Sequence, residues 1–165
     1  MNNKQTSNTG RISALTIGLI FTVLGVAALI PGFVSLPSNA VSSGAPLGAE
    51  DIPLTAGTDY VEGFVRGFGY LFGIFPTNTL RNVLSAVLGV IGLISCTGDR
   101  GSYNYNRFCA ILLPLLALLG LLPVSNDVLG TLPIYGNDVW VSAIAGAIAV
   151  YGTITGYKPE GEIPT

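Results

Sequence analysis

Histidine is missing from this chain of 165 residues, and with it go the commonest metal ligand, the usual general base and the usual axial ligand of haem. Thiols are nearly as scarce. Cys96 and Cys109 are the only cysteines, and without histidine two cysteines cannot complete a zinc site. They read as small apolar residues at helix ends, a type that is commonly buried. Charge is the third shortage: 10% of residues are charged, where a soluble domain has about 25%. The basic residues Lys4, Arg11, Arg66, Arg81, Arg100, Arg107 and Lys158 are scattered along a chain of net charge −2, which provides no footprint for nucleic acid. No nucleophile stands beside a base, and neither a metal-ligand set nor a glycine-rich phosphate cradle occurs in context. Enzyme activity and a cofactor are therefore not expected.

What the chain does have is apolar length. Half of its residues are hydrophobic, and mean hydropathy is +0.63. Four stretches carry no charge: Ile12 to Val34, Asn82 to Gly98, Phe108 to Asn126 and Val139 to Tyr157. Each is at or near the roughly 17 to 25 residues that a helix needs to cross the hydrocarbon core. This predicts an all-α membrane protein, one domain over residues 1–165, with four transmembrane helices at about 12–34, 80–97, 108–124 and 138–157. A long first loop (about 35–77), a polar hairpin "TGDRGSYNYNR" (97–107) and a short loop "SNDVLGTLPIYGN" (125–137) connect them. Five basic residues then share one side and Arg66 and Arg81 the other, so the positive-inside rule places both termini in the cytoplasm and the first loop outside. "SNA" at 38–40 resembles a signal-peptide cleavage site, but the preceding apolar run exceeds the usual 7 to 15 residues, which favours an uncleaved anchor.

An internal repeat is visible when "GIFPTNTLRNVLSAVLG" (73–89) is set over "GTLPIYGNDVWVSAIAG" (130–146). Gly73, Pro76, Ser85, Ala86 and Gly89 meet Gly130, Pro133, Ser142, Ala143 and Gly146 at a constant offset of 57. The preceding spans align Pro31 with Pro123 at an offset of 92. The pattern predicts two helical hairpins in parallel orientation, the first with a longer loop.

Small residues recur every three or four positions along each span: Ala14, Gly18, Thr22 and Gly25 in the first, Asn82, Ser85, Gly89, Gly92 and Cys96 in the second, and Asp138, Ser142, Ala145, Ala149, Gly152 and Gly156 in the fourth. Because lipid is as apolar as leucine, membrane helices associate by close packing, which such residues permit. The expected packing positions are Gly18, Gly25, Ser85, Gly89, Gly92, Ser142, Gly146 and Ala149. Arg81 corresponds to Asp138 in the repeat. An arginine at a helix N-terminus opposes the helix dipole, whereas an aspartate is favoured there, so the two are expected to pair across the outer rim. In the first loop, "DYVEGFVRGFGYLFGIF" (59–75) places Tyr60, Phe64, Phe68, Phe72 and Phe75 along one side of a helix. An interfacial amphipathic segment is expected.

Three segments together resemble a family of small four-helix bacterial membrane proteins known only as a domain of unknown function: "RISALTIGLIFTVLGVAALIPGF", "LFGIFPTNTLRNVLSAVLGVIGL" and "GTLPIYGNDVWVSAIAGAIAVYG". The resemblance implies a helix bundle in a bacterial inner membrane or a cyanobacterial thylakoid. It also implies histidines near Arg81, Ser85 and Ser142, which this sequence replaces, while Asn78, Asn82, Gly89, Pro133, Asp138 and Trp140 look like retained pattern positions. It implies no activity. The expected function is a non-enzymatic structural or accessory protein of the lipid bilayer, associating with itself or with a larger membrane complex. A small transport or channel protein is the alternative.

Overall fold

Proline ends the first helix well before its apolar run is over. α1 spans Asn3–Ala27; beyond it, Leu29 and Ile30 donate to the carbonyls three residues back, and a single 3-10 turn, Pro31–Phe33, follows. A residue before proline is pushed out of the helical region, so the helix tightens and stops. The structure, a computed structural model, describes residues 3–35, 69–122 and 132–156. It is mostly helical, with α2 at Thr79–Ser95, α3 at Asp99–Leu121 and α4 at Asn137–Thr155.

Among the described residues, Asn8–Ala27 within α1, α3 and α4 are long and apolar enough to cross a membrane, while α2 is apolar with 17 residues. Large hydrophobic side chains face outward on all four helices: Leu15, Leu19 and Val23 on α1, Val87 and Ile91 on α2, Leu115 and Leu118 on α3, Ile144 and Ile154 on α4. The interior mixes small residues with a few large ones. Ala14, Ile17, Phe21, Tyr105, Cys109, Leu113, Ala145 and Ala149 form the main core.

The helices run as two antiparallel hairpins. Within the first, Gly18 of α1 lies against Gly92 and Leu93 of α2, and Gly25 against Asn82 and Ala86. Within the second, Pro114 of α3 lies against Gly146 of α4, and Gly152 against Asn106. The N-terminal turns of α1 and α3 meet at one end, where a β-carbon on Gly10 would sit 3.7 Å from Ser102 Oγ. The two hairpins therefore point the same way.

Two expectations need correction. The polar stretch 97–107 is not a hairpin loop: helix resumes at Asp99, and only residues 96–98 separate α2 from α3. Asp99 in the first turn suits the helix dipole, and Ser102, Tyr105 and Asn106 point inward. Lack of charge marked the apolar part of this helix, not its beginning. The second correction concerns the aromatic segment. Residues 69–77 form no helix but a β-hairpin, β2 (Gly69–Leu71) and β3 (Phe75–Thr77), with β1 (Val34–Ser35) on the other side of β2. Leu71 faces Val34 on one side and Phe75 on the other. Phe72 and Gly73 both have positive φ, and Ile74 N–H donates to Leu71 O, as in the turns that join hairpin strands. Phe72 and Phe75 thus do not share a helix face, and glycines at 69 and 73 tip the balance, since each weakens a helix by about 1 kcal/mol against alanine. Tyr60, Phe64 and Phe68, with Arg66, Lys158 and most of the loop at 125–137, lie outside the described residues.

Candidate functional site

The densest polar cluster lies where the sheet meets the N-termini of α2 and α4. Asn78 is the N-cap of α2, and its side-chain oxygen accepts from Arg81 N at 2.7 Å; such a cap stabilises by about 1 kcal/mol. One turn on, Asn82 joins three elements. Its amide nitrogen donates to Ala28 O at 2.9 Å, satisfying a carbonyl just past the end of α1, and its oxygen accepts from the hydroxyl of Thr77 in β3. Buried polar groups cost free energy unless paired, and here each amide group of Asn82 has its partner.

Arg81 and Asp138 meet beside this cluster. The guanidinium Nη2 contacts Asp138 Oδ1, and the two residues are only 9% and 3% exposed. The pair ties α2 to α4, two helices with little other contact. Asn137 ties α4 to the β2–β3 turn as well, its side chain donating to Ile74 O at 3.0 Å. Arg81 sits in the first turn of α2 against the local dipole, and the carboxylate in the first turn of α4 offsets it. The repeat offset and the unfavourable place of Arg81 in the dipole are the two features of the sequence that point to this pair.

The opposite end is also knitted by polar contacts, and these escaped sequence reasoning. Asn106 of α3 donates to Gly10 O of α1 at 2.7 Å and is fully buried. Arg11 Nε donates to Cys96 O, the C-cap carbonyl of α2, at 2.9 Å; a cation there also suits the dipole. Tyr105 OH donates to Leu88 O at 3.2 Å. An asparagine inside a helix facing a glycine of another helix would have been the usable signal. Asn106→Leu should cost about 1–3 kcal/mol, because it removes the buried bond that ties α3 to the Gly10 carbonyl and forces a branched chain against Gly152; thermal unfolding followed by circular dichroism in detergent measures it.

The glycines among the expected packing positions lie against neighbouring helices. A β-carbon on Gly18 would lie 2.8 Å from Leu93 N, one on Gly92 2.7 Å from Gly18 Cα, and one on Gly146 2.9 Å from the Pro114 ring. On Gly89 and Gly25 it would collide with backbone atoms of Thr22 and Ala86. Ser85 and Ala149 are buried, and Ser142 is half-buried. Of the aromatics, Phe75 is half-buried against Ala27, Ala28 and Leu71, whereas Phe72 is exposed and stacks on Phe33 at 5.5 Å between ring centres. Cys109 is buried and Cys96 half-buried, both as free thiols. Among the described residues no group of three or more His, Cys, Asp or Glu side chains could hold a metal ion.

These buried polar residues link helix ends to one another. A family model described as a domain of unknown function, DUF4383, matches residues 11–155. The chain belongs to DUF4383. The match takes in the sheet, α2, α3, α4 and α1 from Arg11 onward, hence the polar residues at both ends except Gly10. No curated protein and no solved structure matches this DUF4383 chain.

Proposed function

We propose that the protein is a multi-pass membrane protein with four spans, non-enzymatic, acting as a structural or accessory component that associates with itself or with a larger membrane complex. The observation that carries this reading is the apolar face that every helix, α2 included, turns outward. A bilayer is the solvent for which that arrangement is stable. At 17 residues, α2 lies at the short end of the spanning range. The distribution of basic residues favours both termini in the cytoplasm, and the family resemblance favours a bacterial inner membrane or a cyanobacterial thylakoid.

The reading includes two copies of one hairpin. The contact of Gly89 with Thr22 has a counterpart in that of Gly146 with Pro114, and 146 is 89 plus 57 while 114 is 22 plus 92. Likewise Ala28 with Asn82 answers to Gly120 with Val139. Buried Gly10, Ala14, Ile17 and Phe21 also correspond at offset 92 to buried Ser102, Asn106, Cys109 and Leu113.

The transport alternative is weakened by the seams themselves. Backbones in contact along α1–α2, and Ile17, Phe21 and Leu113 between the hairpins, leave the middle of the molecule apolar and filled. Purification in mild detergent followed by mass spectrometry should recover a stoichiometric partner or a homo-oligomer, and purified protein in liposomes should pass no solute. A monomer that conducts solute would reverse the choice. Orientation is read with single cysteines in a cysteine-free background. An impermeant thiol reagent on intact cells should label position 43 and not position 104, and the opposite result would invert the topology.

A further inference from the structure

We propose that the β2–β3 turn, Phe72 to Ile74, together with Phe33, is a wedge that enters the lipid headgroup boundary beside the short helix α2. The proposal rests on the membrane reading above.

Conformation supplies the first argument. Phe72 has φ of 53° in a turn position that glycine or asparagine fills without strain. A bulky residue held there calls for a reason beyond the turn itself. Its ring makes a tilted stack with Phe33, and its backbone N–H donates to Phe33 O at 2.8 Å. The aromatic pair is therefore positioned from both strands, yet it is not inside the protein: Phe72 is 54% exposed, and Ile74 and Phe33 are about as open.

Continuity supplies the second. The outward stripe of α1 runs through Val23 and Val26 to Leu29, Ile30 and Phe33, so the wedge prolongs the face on which α1 meets lipid. The described residues on both sides, 29–35 and 69–80, include no charge. An exposed apolar patch of this kind marks an interaction surface, and here its neighbour on α1 indicates lipid.

Level supplies the third. Asn82, in the first turn of α2, donates to Ala28 O just past the end of α1, so the start of α2 and the end of α1 reach the same level. The uncharged hairpin immediately precedes α2 there and presents phenylalanine and isoleucine. Backbone groups of β2 are paired on both sides, to β1 and to β3, which lets the strand approach hydrocarbon without orphaned donors.

Trp140, the sole tryptophan, is exposed on α4 and serves as an internal reference. Full-length protein and the variant Phe72→Trp/Trp140→Phe are reconstituted in phosphatidylcholine vesicles containing lipids brominated near the headgroup or near the chain end. Quenching is compared with that by aqueous iodide. The expected result is that the tryptophan at 72 loses most of its emission to the shallow bromolipid, less to the deep one and little to iodide. Quenching by iodide alone overturns the wedge, and protection from every quencher also overturns it, in favour of cover by residues 36–68 or by a second copy. If Trp140 of the native protein is not quenched by lipid either, the membrane reading itself fails. Where position 72 does not accept tryptophan, as judged by loss of helical circular dichroism, Ile74→Trp/Trp140→Phe takes its place with the same expected results.

Discussion

Asp138→Asn should destabilise the protein by about 3–5 kcal/mol, because removal of one partner from a buried ion pair leaves the other charge uncompensated. Arg81 would then face a neutral amide with almost no access to water. Arg81→Gln should cost a similar amount. The double variant Arg81→Gln/Asp138→Asn should lose clearly less than the sum of the two, since well-separated sites add to within about 0.5 kcal/mol and these do not. An apolar replacement, Arg81→Met/Asp138→Leu, should return near to the native stability, because two buried charges cost more to desolvate than they regain unless their geometry is excellent. Reversible unfolding in mixed detergent micelles gives all four numbers. Additive losses, or single variants within about 0.5 kcal/mol of the native protein, would mean that Arg81 takes its counter-charge from lipid phosphate instead.

Gly89→Leu should be nearly as damaging. A β-carbon alone collides with the backbone of Thr22, which cannot swing aside as a side chain can, and overpacking typically costs about 1–3 kcal/mol, occasionally more. Since α1 and α2 touch again at Gly18 and Gly25, one forced separation opens a seam several turns long. Gly32→Ala is the control, because its added carbon meets nothing within 4 Å. Gly146→Leu should fall between them, for the nearest atoms are Pro114 ring carbons at 2.9 Å, with the Pro114 main-chain nitrogen farther off at 3.2 Å. Equal unfolding midpoints for Gly89→Leu and Gly32→Ala would refute tight packing at that crossing.

Much of the helical layout was legible because hydrocarbon tolerates so few residue types. An uncharged run of twenty residues announces itself, and small residues at every third or fourth place announce which side packs. Ends were harder to read. α3 runs two turns past its apolar part, since hydrogen bonds continue wherever backbone partners exist and Ser102 and Asn106 find burial against α1. α1 stops before its apolar run does, since Pro31 overrides hydropathy. The hairpin at 69–77 is not legible because aromatic residues at mixed spacing fit a helix face as well as a strand, and the decision falls to a turn with two positive φ values that no periodicity reports. Arg81 and Asp138 are paired by the repeat offset together with the dipole mismatch, whereas Asn106 and Arg11 bind partners too distant in sequence to be guessed.

The ion pair has a meaning beyond its energy. If the hairpins are two copies, Arg81 and Asp138 are counterparts of each other, and so are Gly10 and Ser102 at the opposite end of the molecule. A residue that touches its own counterpart lies on a twofold axis, and one such contact at each end fixes a line running along the helices. Two separate, identical hairpins meeting about that line would set arginine against arginine or aspartate against aspartate, and like charges repel. Joined in one chain, the copies are free to differ at the axis, and the centre of the pseudo-dimer holds an attraction that a true homodimer could not.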